Sequence, residues 1–287
     1  MAFRIVSIGD SIIWGQGLLP NEKFNWLVQQ ALSPKHPEGV TLESLAHSGA
    51  VIGATGASGN PQVGEVPASR LSIIEQCDSY ANSPDTVDLV LMDGGINDVG
   101  VATILNPFAL IPPLVVRVIH ACHDGMLVLL KKVIAKFSKP TCRILVTGYY
   151  PILSAQSDPL GVIKLVSLFG IAVPPFLDED LDFINPVLNR CEAFFNHSTQ
   201  QLKQAIVDAN DPRITFVPSG FTDANSAFRV ENHARSTQAK AAPSPLGERQ
   251  SNYLCNDDFA PTSEAHKCPV RRLNAAVPSS ISKGKRM

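Results

Sequence analysis

The 287-residue chain is 45% apolar, with 24 basic against 26 acidic side chains. That composition fills the core of one large α/β domain, and it lacks the basic footprint that a phosphate backbone requires, which sets nucleic acid aside as a partner. Met1-Ala2-Phe3-Arg4 runs straight into an apolar segment with no room for a signal peptide, and the apolar stretch 160–176, broken by Lys164 and Pro174-Pro175, is too short to span a bilayer. A cytoplasmic chain without a transmembrane segment is expected.

Short runs of Val, Ile and Leu without alternation predict strands near 3–9, 40–46, 87–93, 142–148 and 213–218, the pattern of strands buried on both faces. Helical patterns lie between them at 21–32, 68–79, 107–137 and 186–209. In the last of these, Leu188, Cys191, Phe194, Phe195, Leu202 and Ile206 form an apolar face, with Asn189, Arg190, Glu192 and Lys203 between them. The alternation predicts a doubly wound, flavodoxin-like sheet of five parallel strands flanked by helices in three α/β/α layers. One domain is expected over 1–275, with an apolar insertion at 151–182 and a polar loop at 222–265, followed by a flexible tail at 276–287. The insertion follows the fourth strand and reads either as an acyl-binding wall or as a covering helix.

Cys77, Cys122, Cys142 and Cys191 fall in predicted helices or strands and read as buried thiols, whereas Cys255 and Cys268 flank a polar loop. His120 and His123 surround Cys122, but ligands crowded on adjacent helical residues face different directions, so no metal site is expected there.

Three predicted strand ends carry small polar turns. Gly9-Asp10-Ser11 follows the first, Ser48-Gly49-Ala50 the second and Gly95-Ile96-Asn97-Asp98 the third. In an open parallel sheet, ligands bind outside the carboxyl ends of the strands. A serine at such a point can also be a helix N-cap, Asp10 suits a carboxylate accepting turn N–H groups, Asp98 a helix or turn cap, and His47 a residue of the rim.

Taken in chain order, these segments resemble the SGNH (GDSL-type) esterase and lipase family. The resemblance runs from about Phe3 to Phe221 and is thin beyond Phe228. It implies a carboxylic ester hydrolase that forms an acyl-serine intermediate on a small-molecule ester, with no metal and no cofactor. It implies Ser11 as nucleophile, and as oxyanion donors the Ser11 N–H, the Gly49 N–H and the Asn97 side-chain amide. The apolar insertion tilts the substrate toward a lipophilic or fatty-acyl ester. A carbohydrate O-deacetylase of the same family, or a catalytically impaired α/β binding protein, is the alternative.

The resemblance also implies a histidine base beyond the fifth strand, where His233 and His266 are the candidates. The family pattern Asp-x-x-His is absent, since Val230 precedes His233 by three residues and Ser263 precedes His266. Ala265-His266 with Pro269 and Asn274 is the nearer match, which favours His266. Its orienting partner is then the Ser263 carbonyl, with Asp257, Asp258 or Glu264 as substitutes. A triad on His233 would draw instead on Glu231 or Asp223.

Overall fold

The computed structural model describes residues 1–16, 18–54, 71–173 and 181–219. In chain order the elements are β1 (Phe3–Ile8), α1 (Ser11–Trp14), α2 (Phe24–Leu32), β2 (Val40–Ser44), α3 (Ile73–Ser79), β3 (Leu89–Met92), α4 (Ile96–Val99), α5 (Val101–Leu105), α6 (Ile111–Ile119), α7 (Met126–Lys136), β4 (Arg143–Thr147), α8 (Pro159–Leu168), α9 (Leu181–Ala209) and β5 (Ile214–Val217). The five strands are parallel in the order β2-β1-β3-β4-β5, the flavodoxin-like arrangement expected.

Alternate residues of the central strands feed two separate cores, which is why their sequences are apolar without alternation. Val6, Ile8, Val90, Met92, Ile144 and Val146 join the larger core with residues of α3, α6, α7 and α9. Ile5, Leu89, Leu91 and Leu145 pack on the other face against Phe24, Val28 and Leu32 of α2. The edge strand β2 departs from the expected double burial. Among the described residues it pairs only with β1, and each of its residues keeps some exposure, as at the edge of a sheet.

The helices refine the sequence reading in three places. The 107–137 region is α6 and α7 joined by a π-type turn, His120–Gly125. This run, Ile111–Lys136, is long and apolar enough by length and composition to cross a membrane. However, 44% of its most apolar window is buried. Leu114, Val118, Leu129, Leu130 and Val133 face the core, and α6 and α7 pack on α9, so a core helix explains the hydropathy. The last helix starts at Leu181, ahead of Pro186, which lies inside it.

Arg190 is the third correction. It is buried rather than on a polar face, and its guanidinium donates to the carbonyls of Thr103, Ile104, Ala109 and Leu110. The charge is met by carbonyl dipoles at the end of α5, and the turn that follows α5 is pinned. Cys77, Cys122, Cys142 and Cys191 are buried free thiols, as expected.

Candidate active site

Because the strands are parallel, the turns after β1, β2 and β3 emerge at one edge of the sheet, and hydrogen bonds tie them together. The Asp10 N–H donates to Asp93 Oδ1 at 2.8 Å, joining the first turn to the third. The His47 N–H reaches the Gly9 carbonyl at 3.3 Å, joining the second to the first. Asn97 Nδ2 donates to the Ala50 carbonyl at 3.0 Å, joining the third to the second. Thus Ser11, Gly49 and Asn97, dispersed in sequence, stand on one interlocked rim.

Ser11 is the first residue of α1, and the N-cap is its neighbour Asp10, whose Oδ1 accepts the Ile12 N–H at 2.9 Å. The capping role open to the serine is therefore taken by Asp10. Gly9 precedes them at φ 151°, where an added Cβ would lie 2.0 Å from Asp93 Oδ1, so only glycine lets the carboxyl approach this closely. Gly49 turns the chain after β2 at φ 74°. Neither the Ser11 N–H nor the Gly49 N–H has a hydrogen-bond acceptor among the described residues, and Ala50 takes only one of the two Asn97 amide hydrogens.

Behind the rim lies a buried polar layer that sequence reasoning missed. Gln76 of α3 brackets Gly9, accepting its N–H at 2.8 Å and donating to its carbonyl at 3.1 Å. The Tyr149 hydroxyl accepts the Ile96 N–H at 2.9 Å and donates to Asp10 Oδ2 at 3.0 Å. Burial, then the negative charge carried by the Asp10–Asp93 pair, push the Tyr149 phenol well above its ordinary range, so it stays neutral and remains a donor. The only hint in sequence was position, since Gln76 lies on the apolar face of a helix and Tyr149 follows a strand end.

One carboxylate and one imidazole behave differently from expectation. Asp98 does not cap a following helix. It reaches across to the Ile52 N–H, and burial raises its carboxyl to about 6. His47 is buried rather than on the rim, with Nδ1 at 2.8 Å from the Ser48 carbonyl and Nε2 at 2.7 Å from that of Leu71, so it braces the turn.

His120 and His123 are engaged with Asp124, and His123 also with Asp208. No group of three or more metal-ligating side chains occurs among the described residues. His233, His266, Asp257, Asp258, Ser263, Glu264, Cys255 and Cys268 lie outside the described residues. A cavity of about 920 Å³, lined by Arg4, Thr41, Glu43, Asp88 and Lys139, sits at the opposite edge of the sheet and plays no part in this site.

The model of the GDSL-like lipase/acylhydrolase family matches residues 5–270. The chain belongs to that family. It is an ester-hydrolysing enzyme built on the α/β/α fold described above. Among solved structures, the esterase is similar to the lipase Lip_vut3 from a goat rumen metagenome, at 14% identity over 96% of this chain and 98% of that one, with a TM-score of 0.55. A catalytic mutant of Axe2, an acetylxylan esterase from Geobacillus stearothermophilus, matches at 15% identity over 99% of each chain, with a TM-score of 0.47. Est24, a carbohydrate acetylesterase from Sinorhizobium meliloti, matches at 12% identity over 96% and 98%, with a TM-score of 0.46. A search of curated proteins returns no match.

Proposed function

We propose that the enzyme cleaves lipophilic, fatty-acyl-type carboxylic esters through an acyl intermediate on Ser11. The observation that carries this reading is the unused donor set on the rim: the Ser11 N–H, the Gly49 N–H and one Asn97 amide hydrogen. Such donors, fixed in place before the substrate arrives, stabilise the oxyanion of a tetrahedral intermediate without reorganisation. Ser11 Oγ attacks the ester carbonyl carbon as the histidine base takes its proton. The intermediate collapses to the acyl-enzyme, the alcohol leaves with that proton, and water repeats the sequence to release the acid. His266 is the proposed base by its order along the chain, oriented by the Ser263 carbonyl or by Asp257 or Asp258.

The preference for a lipophilic acyl group is supported by apolar side chains left in solvent on elements that follow the β3 and β4 ends. Phe108 and Leu110 are exposed in the turn held by Arg190, and Leu160 and Leu168 are exposed on α8. Val162, Leu165 and Val166 of α8 are core residues, so that face is packing and chain-length preference is sought on the exposed one.

A fluorophosphonate probe should modify Ser11 and leave Ser11→Ala unlabelled, and Ser11→Ala should lose hydrolysis of p-nitrophenyl esters. Labelling at another residue, or full activity in Ser11→Ala, refutes the reading. A folded wild-type chain that neither labels nor hydrolyses would make it a binding protein on this scaffold.

A further inference from the structure

Directly behind Ser11 two carboxyl groups meet in the protein interior. Asp10 and Asp93 are 0% and 1% exposed, and the Asp10 main-chain N–H donates to Asp93 Oδ1 at 2.8 Å, which sets the two carboxyl groups side by side. Two ionised carboxylates in contact, out of water, repel each other too strongly for both charges to persist, so such a pair holds one proton between them.

The hydrogen-bond inventory decides where that proton sits. Both Asp10 oxygens already have donors, Ile12 N–H on Oδ1 and Tyr149 O–H on Oδ2. Asp93 Oδ1 accepts the Asp10 N–H, and its Oδ2 is buried with no donor at all. A buried oxygen without a donor is satisfied when it carries the hydrogen itself. We propose that Asp93 is a neutral carboxylic acid that donates its proton to the ionised Asp10, and that it is a positioning residue for Ser11.

Its other contacts explain how it positions. Asp93 receives the Asp10 N–H, so it grips the backbone immediately before Ser11. The surrounding titratable groups leave the single charge on Asp10. Tyr149 and Tyr150 after β4, and Cys122 of the π-type turn, are all held neutral by burial, while His47 from the turn after β2 favours the Asp10 charge and Asp98 of α4 adds to the repulsion. Burial and the Asp10 charge hold the Asp93 carboxyl well above the ordinary range, as a neutral acid requires. Keeping the pair at one negative charge also spares the oxyanion that forms on the rim a second nearby repulsion.

The kinetic arm of the test rests on the acyl-Ser11 reading, whereas the spectroscopic arm does not. In ¹³C-aspartate-labelled protein at about pH 8, where an Asp98 carboxyl near 6 is ionised, infrared spectra should show the C=O stretch of a protonated carboxyl. That band should vanish in Asp93→Asn. An asparagine keeps an acceptor for the Asp10 N–H and a donor toward the Asp10 carboxylate, so kcat should stay within about threefold of wild type. Asp93→Leu, which strands the Asp10 N–H, should lose on the order of 10- to 100-fold.

No protonated band in the folded wild-type enzyme, or a band that survives Asp93→Asn, overturns the proposal even if the leucine variant does not fold. Equal losses of kcat in Asp93→Asn and Asp93→Leu would show that the site needs a carboxylate there, and would also overturn it. A band that behaves as described in an enzyme whose Ser11 proves unreactive upholds the pair and refutes the acyl-serine reading instead.

Discussion

Tyr149→Phe isolates one hydroxyl. The ring stays, packed against Phe194 with centroids 5.4 Å apart, while two buried hydrogen bonds disappear, one from the Ile96 N–H at 2.9 Å and one to Asp10 Oδ2 at 3.0 Å. Stranding the amide costs about 1–3 kcal/mol, and a hydrogen bond to a charged group contributes about 1.5–3 kcal/mol. Together the loss is roughly 3–5 kcal/mol, a large share of the about 5–15 kcal/mol that holds a typical domain together. Urea denaturation should show the midpoint falling with an unchanged m-value. In a double-mutant cycle with Asp10→Asn, the two changes should cost less together than the sum of their separate costs, because they share one contact. The same hydroxyl positions the first N–H of α4, the helix bearing Asn97, so kcat should fall more than KM rises. A stability loss below about 0.5 kcal/mol, the noise of a surface substitution, would refute the claim that this hydroxyl joins the two turns.

Asn97→Ala should lower kcat by about 10²–10³ with KM nearly unchanged, as for a donor used in the transition state, and an effect confined to KM would instead make Asn97 a substrate-positioning residue. The Asp98 carboxyl is raised from 3.8 to about 6, so its contribution to stability is fully present below 3.8 and is lost as pH rises through about 6. Asp98→Asn should remove that decline, worth at most about 3 kcal/mol, and identical pH profiles for the two proteins would contradict it. The His123 ring, held above its ordinary 6.5 by Asp124 and Asp208, should stabilise the fold fully below 6.5 and lose that effect as pH rises through its folded value. Thermal melts of His123→Gln should therefore match wild type at high pH and fall below it on the acid side of 6.5, and equal melting temperatures throughout would exclude the contact from stability.

The features legible in the sequence are those governed by neighbours along the chain. Strand placement follows from runs of branched apolar residues, and all five strands fall within two residues of the expected bounds. The three turns announced themselves because a positive φ or a close backbone approach restricts the choice to glycine, as at Gly9 and Gly49. With strand–helix alternation, those signals determine a parallel sheet and place all three turns on one edge. Asp10 was legible as an acceptor of turn N–H groups, but the long-range partners of Asp10, Tyr149, Gln76 and Asp98 could not be assigned that way, since they are distant in sequence. Tyr149 and Asp10 are separated by 139 positions, Asp10 and Asp93 by 83, Gln76 and Gly9 by 67, and Asp98 and Ile52 by 46. A polar side chain shows its hydrogen-bonding capacity in sequence but not its partner, and burial shifts a carboxyl only once the chain has closed over it. The sequence by itself determined the sheet and the rim of turns. Tertiary structure decided how those turns are locked together, because only packing removes water and leaves each buried donor a single acceptor to find.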